Sequence, residues 1–443
     1  MKDARDPANR GITYLCWVDL AGLLRCRGIP ASRAAALAVD GLGWPAAGQA
    51  LTPFGQPARN PWGPMSEVRQ VPVAETFTRI DIWEDAPPLN FVLCNTLDQT
   101  GKAWECCGRA FLGRAAAHLE RIAGVRFAAA FEHEFTLIDC GFDETTSFSL
   151  GSMRLVARFC EELEAALAQA KVAVETIEPE CGRRQYEISC GPAIGVAAGD
   201  RAVITRETIR EVARRNGYHA SFSPKPFPGG IGSGAHVHFS FSDSQDRNVT
   251  FDPADHSRLS EIAAQFAGGV VKYLPDFCAL IASSPVSYQR LAPGNWSCGY
   301  TSFGFQNREA ALRVCPPYGR DAKLTGKTFN LEFRPPDATA NPYLALGALI
   351  YAGIEGIKEK LPAPPALEQD PATLGEEGRA ALGIRALPAS LDAALDLMMA
   401  SAVVPAWVSG TMLSTFESVK RSESLAMQKH TAEEICRTYL RLF

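Results

Sequence analysis

Residues 230–240 read Gly230-Ile-Gly232-Ser-Gly234-Ala-His236-Val-His238-Phe-Ser240, a glycine-rich loop running into a strictly alternating strand. His236, His238 and Ser240 face one way, and Val237 and Phe239 face the core. Glycines let backbone approach a ligand closely, and two His at i, i+2 suit a metal ion or a phosphate. A single strand histidine is more often structural. Three aligned polar side chains behind such a loop point to a site.

Working outward, three more short strands carry the same signature. Arg126–Asp139 alternates so that Glu132 and Glu134 share one face, with Phe131, His133 and Phe135 on the other. Glu178-Pro-Glu180-Cys-Gly-Arg-Arg-Gln185-Tyr-Glu187 puts Gln185 and Glu187 on one strand face, while a Gly-containing turn folds Glu180 back. Leu331-Glu332-Phe-Arg334-Pro sets an acid and an arginine side by side. Each segment alone reads equally well as a solvated strand or charged loop. Leu324-Thr-Gly326-Lys327-Thr328 mimics the end of a Walker A loop, but Asp321 stands where the first glycine belongs and a strand follows instead of a helix. Tyr288-Gln-Arg290-Leu and Asn307-Arg308-Glu-Ala-Ala-Leu-Arg313 add arginines, whose parallel donors match carboxylates and phosphates. Oxygen-dominated ligation with one imidazole suits Mg²⁺ or Mn²⁺ rather than structural zinc. Beside an arginine cluster, such ions point to phosphoryl transfer, where catalysis is mainly positioning and charge neutralisation.

Composition frames this reading. At 443 residues the chain exceeds one small core, and 47% hydrophobic with 21% charged residues is ordinary for a soluble globular protein. A net charge of −5 gives no electrostatic reason to expect nucleic acid or an acidic membrane surface. Tyr343–Ile354 is the most apolar run and fits a buried helix, not a membrane span. The start, Met-Lys-Asp-Ala-Arg-Asp, has no apolar signal core. Thirteen cysteines without a CxxC pair read as reduced thiols in a cytoplasmic protein. Tyr14–Asp19 and Leu23–Gly28 form a hairpin, Gly41–Pro64 is loop, and Asn90–Thr96 is a strand. Helices are expected over Arg109–Ile122, Met153–Ala170, Arg201–Asn216 and much of Leu391–Phe443, with a surface excursion over Leu361–Pro388. A domain boundary falls just before Cys106, giving units 1–105 and 106–443.

Taken in order, the motifs ExE, ExGxxQxE, GxGxHxHxS, SYxRLxPG, NRxxxxR and ExRxPDxxxNPYL resemble those of the glutamine synthetase superfamily, from about Tyr14 to Ala352. The resemblance implies an α+β fold: an N-terminal β-grasp domain, then a catalytic domain with a curved antiparallel sheet flanked by helices. It implies that Glu134, Glu180 and Glu187 hold one metal, and Glu132, His236 and Glu332 a second. It places His238, Ser240 and Lys327 by the ATP, Gly232 by the amino group of a glutamate substrate, and Arg290 on its α-carboxylate. Arg308, Arg313 and Arg334 would stabilise the transferred phosphoryl group and the γ-carboxylate. The implied mechanism makes a γ-glutamyl phosphate, which a nitrogen nucleophile then attacks. The implied assembly is a homo-oligomer, a dodecamer of two hexameric rings with active sites between neighbouring subunits.

Departures from the pattern concentrate on the nucleophile side. Glutamine-forming members carry a Glu six residues after the Arg of SYxRLxPG; here that residue is Trp296. Their ammonium-binding Asp has no counterpart between Val39 and Val73, where Glu67 is only a loose substitute. Ammonium needs carboxylates around it, whereas an aromatic wall, Trp296 with Trp44 or Trp62, suits an alkyl or aryl amine. Ile231 replaces an Asn of the glutamate loop, and Asn330 an Arg near the ATP phosphates. The expected activity is therefore glutamate–amine ligation. Glutamine synthesis and a catalytically silent relative are the alternatives.

Overall fold

The computed structural model describes residues 11–143, 145–255, 257–292, 298–316 and 322–443. The chain opens on a hairpin of β1 (Ile12–Val18) and β2 (Leu24–Pro30), as its alternation predicts. Next come β3 (Leu42–Pro45), β4 (Glu67–Pro72), β5 (Thr78–Ile80) and β6 (Leu89–Leu97). They form one sheet in the order β2-β1-β6-β4-β3, with β5 on β6 and β1 running parallel to β6. The expectation of pure loop over Gly41–Pro64 is corrected here. Trp44 pairs with Val68 across β3–β4 and packs edge-on to Trp17 at 4.7 Å, and a 3-10 turn, Ala46–Ala50, follows. Tertiary pairing and aromatic packing thus override the local Pro/Gly signal.

The hairpin tip is plugged into the rest of the molecule. Asn341 Nδ2 donates to Asp19 O at 3.1 Å, Lys420 Nζ to Ala21 O at 3.1 Å, and Arg206 Nη2 to Gly22 O at 3.3 Å. Only glycine fits at position 22, because its φ is +92° and a Cβ there would collide with the Thr339 carbonyl. Lys420 itself is fully buried against Glu423, whose other oxygen accepts from Tyr439 at 2.6 Å. The C-terminal helices, Gly410–Met427 and Ala432–Tyr439, so clamp the first sheet in place.

The second sheet comprises β7 (Arg126–Ile138), β8 (Val174–Pro179), β9 (Gln185–Cys190), β10 (Ala193–Ile194), β11 (His219–Ser221), β12 (Ala235–Ser242), β13 (Phe303–Phe305), β14 (Leu312–Val314) and β15 (Leu331–Phe333). Its order is β13-β14-β15-β12-β7-β9-β8, with β10 and β11 on β7. The ladder is antiparallel except at its edge, where β13 and β14 run parallel. One face of β7 and β12 carries Phe127, Phe239 and Phe241, which pack with Phe266 of the helix Glu261–Ile281 at ring separations of 5.0–6.1 Å. The apolar run seen in sequence is the helix Pro342–Lys358, started by Asn341, whose side chain accepts from Tyr343 N and Leu344 N, with Pro342 in the first turn. It is buried almost throughout. This gives the expected α+β architecture, and no helix among the described residues is long and apolar enough to cross a membrane.

One helix differs from expectation. Met153–Ala170 is not continuous: Leu150–Leu155 and Ala157–Gln169 are separated by Val156 at φ −118°, ψ 22°. Tyr186 Oη donates to Ser152 O at 3.0 Å, and Val156 N turns to Met153 O instead of continuing the helical ladder. Phe159, Leu163 and Leu167 stay buried, while Leu155 is exposed.

Candidate active site

Strand register alone assembles the chemistry. Across β12–β7, His236 faces Glu132; across β7–β9, Glu134 faces Glu187; across β8–β9, Glu178 faces Glu187. On the other side, His238 faces Glu332 across β12–β15, and Glu332 faces Arg313 across β15–β14. Directly opposed residues share a sheet face. The face opposite the phenylalanine layer therefore carries a band of acids, imidazoles and guanidiniums six strands wide.

At its centre, His238 Nε2 lies 2.9 Å from Glu132 Oε1, and His236 Nδ1 lies 3.5 Å from Glu132 Oε2 and 3.6 Å from Glu332 Oε1. Burial opposes charge on Glu132, but hydrogen bonds to His236 and His238 hold its carboxyl far below the usual range. Glu332 is fully buried and ion-paired with both Arg313 and Arg334. Burial raises its carboxyl, and the charges of Arg334, His236 and His238 outweigh that and hold it at about 2. His238 is pushed well above the ordinary imidazole value against its burial, by hydrogen bonds to Cys315 and Glu132. His236 goes the other way, through burial and the charge of Arg334.

The β9 side is short of positive charge. Burial, then the charges of Glu132, Glu134, Glu180 and Glu178, push the Glu187 carboxyl up to about 10. Glu180 is raised too, by burial and then by the charges of Glu134 and Glu178. A divalent cation relieves this excess, so the donor set fits one on the evidence of its own electrostatics. Among the described residues, three groups have ligand atoms within 4.8 Å of one another: Glu178, Glu180 and Glu187; Glu132, Glu187 and His236; and His238, Cys315 and Glu332.

The glycine loop closes over this face. Gly234 N donates to Glu134 Oε2 at 3.0 Å, while Gln185 Nε2 donates to Gly232 O at 2.8 Å and to Glu134 Oε2 at 3.0 Å. A Cβ at Gly234 would stand 2.6 Å from His236 Nε2 and 2.7 Å from Arg290 Nη2, and one at Gly232 would stand 2.8 Å from Arg290 Cγ. Arg290 is buried, donating to Pro335 O at 2.8 Å and Arg334 O at 3.0 Å, with Nη2 3.3 Å from His236 Nε2. This guanidinium is engaged with backbone.

The metal-ligand candidates Glu132, Glu134, Glu187, His236 and Glu332 thus share one face with His238, Ser240, Arg313 and Arg334, and Glu180, just past β8, groups with Glu187. Ser240 is half-buried further along β12. Arg308 is exposed on a loop fixed by Asn307, whose Nδ2 donates to Leu367 O at 2.8 Å and Gln369 O at 3.1 Å. Lys327 is exposed on the helix Ala322–Thr328, and Ile231 is exposed on the glycine loop. Trp296 lies outside the described residues. Trp44 packs on Trp17 and Trp62 on Trp104, with ring centroids 4.7 and 5.0 Å apart. Sequence reasoning passed over Glu178, two residues before Glu180, and Cys315, two residues after Arg313. In each case the period of two was the available signal. Asn330 Oδ1 lies 2.8 Å from His238 Nδ1, so this departure is in direct contact with the site.

Comparison with known proteins agrees with this architecture. Residues 3–104 match the glutamine synthetase N-terminal domain and residues 105–439 the glutamine synthetase catalytic domain. The chain is 34% identical to the gamma-glutamylpolyamine synthetase GlnA3 of Streptomyces coelicolor, over 85% of this chain and 82% of that one. It is 31% identical to a glutamine synthetase of Thermotoga maritima, over 75% of each. A crystal structure described as a novel glutamine synthase homolog superposes with a TM-score of 0.90 at 37% identity, covering 99% of this chain and 100% of the other. With both family domains matched along nearly its whole length, this chain belongs to the glutamine synthetase family of ligases.

Proposed function

We propose that this chain is an ATP-dependent glutamate–amine ligase, joining the γ-carboxylate of glutamate to an alkyl or aryl amine through a γ-glutamyl phosphate. The observation that carries the reading is Trp296, six residues after Arg290, where glutamine-forming members hold a Glu. Ammonium is a small, strongly hydrated cation that needs carboxylates in place of its water, whereas an indole wall offers apolar contact to the carbon chain of an amine. The relatedness to a protein named gamma-glutamylpolyamine synthetase supports the same direction.

In this reading Glu134, Glu180 and Glu187 hold one divalent cation, with Glu178 beside them, and Glu132, His236 and Glu332 hold a second. Mg²⁺ or Mn²⁺ there supplies charge neutralisation for the phosphates of ATP. His238, Ser240 and Lys327 serve the nucleotide, and Gly232 and Arg290 serve glutamate. Arg313 and Arg334 rest on Glu332. Once that carboxylate has another partner, they and Arg308 are the donors for the transferred phosphoryl group. Residues 1–105 form the β-grasp domain and 106–443 the catalytic domain of a cytoplasmic homo-oligomer, a dodecamer of two hexameric rings.

Glutamine synthesis from ammonium is the second reading, favoured by relatives that carry the name glutamine synthetase. Phosphate release with glutamate, ATP, Mg²⁺ and a panel of alkyl-, aryl- and polyamines separates the two. Turnover with at least one amine well above that with ammonium supports the proposal. Turnover with ammonium and with none of the amines overturns it in favour of glutamine synthesis. A chain that turns over no nitrogen donor and binds neither Mn²⁺ nor nucleotide is a silent relative.

A further inference from the structure

Away from the catalytic face, two thiols meet across the first hairpin. The β1–β2 register sets Cys16 directly opposite Cys26. Opposed residues of an antiparallel pair point to the same face with Cα atoms about 4.5–5.5 Å apart. That separation lies inside the span of about 4.4–6.8 Å that a disulfide bridges. The two thiols lie close enough for each to shift the other's proton affinity, with the Cys16 thiol also reaching Tyr14 O at 3.6 Å. Because β2 is the edge strand, Cys26 is exposed, while Cys16, one strand further in, is buried. Cys94 is the other nearby thiol. It follows Leu93, the residue registered with Cys16, so it points to the opposite face and into a different apolar cluster.

We propose that Cys16 and Cys26 form a peroxide-responsive dithiol, a modification site that closes to a cross-strand disulfide in the N-terminal sheet. The exposed Cys26 sulfur attacks one oxygen of hydrogen peroxide, the O–O bond breaks, and hydroxide leaves from a new sulfenic acid. Cys16 sulfur then attacks the Cys26 sulfur as it gives up its proton, the S–O bond breaks, and the departing hydroxide takes that proton to become water. Overall two thiols and one peroxide become one disulfide and two waters, a two-electron oxidation of the pair. The division of labour follows from their pairing and their different exposure. Contact with Cys16 brings the Cys26 thiol down to about 7, so a substantial share is thiolate at neutral pH, while contact with Cys26 and burial push Cys16 up, so Cys16 holds its proton until the second step. The bond ties edge strand β2 to β1, the two strands whose connecting turn carries Asp19, Ala21 and Gly22 into the catalytic side.

Peptide mapping of the reduced full-length protein, treated with hydrogen peroxide and digested without reductant, tests this. The expected result is a Cys16–Cys26 linked peptide, reversed by dithiothreitol, with two of the thirteen thiols lost first. Cys26→Ser, an exposed edge position, abolishes the link, and Cys94→Ser leaves it intact. In Cys16→Ser, Cys26 stops as a sulfenic acid trapped by dimedone. Cys26 bridged to another cysteine, or both thiols still free after other cysteines have oxidised, overturns the proposal.

Discussion

Arg313 and Glu332 stand directly opposite each other on β14 and β15, and the buried Glu332 carboxylate lies between the guanidiniums of Arg313 and Arg334. This carboxylate compensates two buried cations and also faces both site histidines. Glu332→Gln keeps the shape and removes the charge that both guanidiniums face. Breaking a buried pair from one side costs about 3–5 kcal/mol. Urea unfolding of the metal-free variant should show a loss of that size, with weakened Mn²⁺ binding in calorimetry. Stability and metal affinity both equal to the parent's would contradict this placement.

Glu187 predicts a proton count. Its carboxyl, pushed up to about 10, is protonated at neutral pH without metal, and a ligating carboxylate must be ionised. Binding of Mn²⁺ near pH 7 should therefore release about one proton per chain, read as a buffer-dependent enthalpy. Glu187→Gln should abolish that release. The linked stability has a definite sign: the folded carboxyl holds its proton above the ordinary value of 4.5, so metal-free stability falls as pH rises from there toward 10. Titration of the melting temperature against pH, with and without Mn²⁺, reads this directly.

Gly234 is a steric prediction. An added methyl would meet His236 Nε2 and Arg290 Nη2 at 2.6 and 2.7 Å, and both partners are buried. Since displacement of catalytic groups by about 1 Å costs about 100-fold, Gly234→Ala should lower kcat/KM by one to two orders of magnitude. Circular dichroism should stay unchanged. Full activity would mean that the loop gives way freely.

Most of the site was legible because a strand's period of two fixes which side chains share a face. ExE on β7, HxH on β12 and ExR beginning on β15 needed no tertiary information to be aligned. What periodicity lacks is the partner strand, so the bond from Gln185 to Glu134 and the facing of Glu178 and Glu187 appeared only with the register. Fold reading failed where distant contacts outvote local signals. A Tyr186 hydroxyl breaks the helix at Val156, and pairing with Val68 makes a strand of Trp44. The tail held more than its helical pattern disclosed: Lys420 and Glu423 are three apart on one helix face, and only the fold reveals that Ala21 lies above them.

Trp296 is predicted to set the nitrogen donor. Trp296→Glu should add a carboxylate for ammonium and remove the apolar wall. Glutamine formation should rise at least tenfold, while amine ligation falls by a similar factor. An unchanged ratio of the two products would assign the preference to another residue.

The most direct test is a competition. The purified protein receives glutamate, ATP, Mg²⁺, isotopically labelled ammonium and an equal concentration of a diamine or alkylamine, and the products are weighed by mass spectrometry. The account predicts that γ-glutamylamide of the amine predominates, with one ATP hydrolysed per amide bond formed. Labelled glutamine as the sole product, across the amine panel, would contradict it.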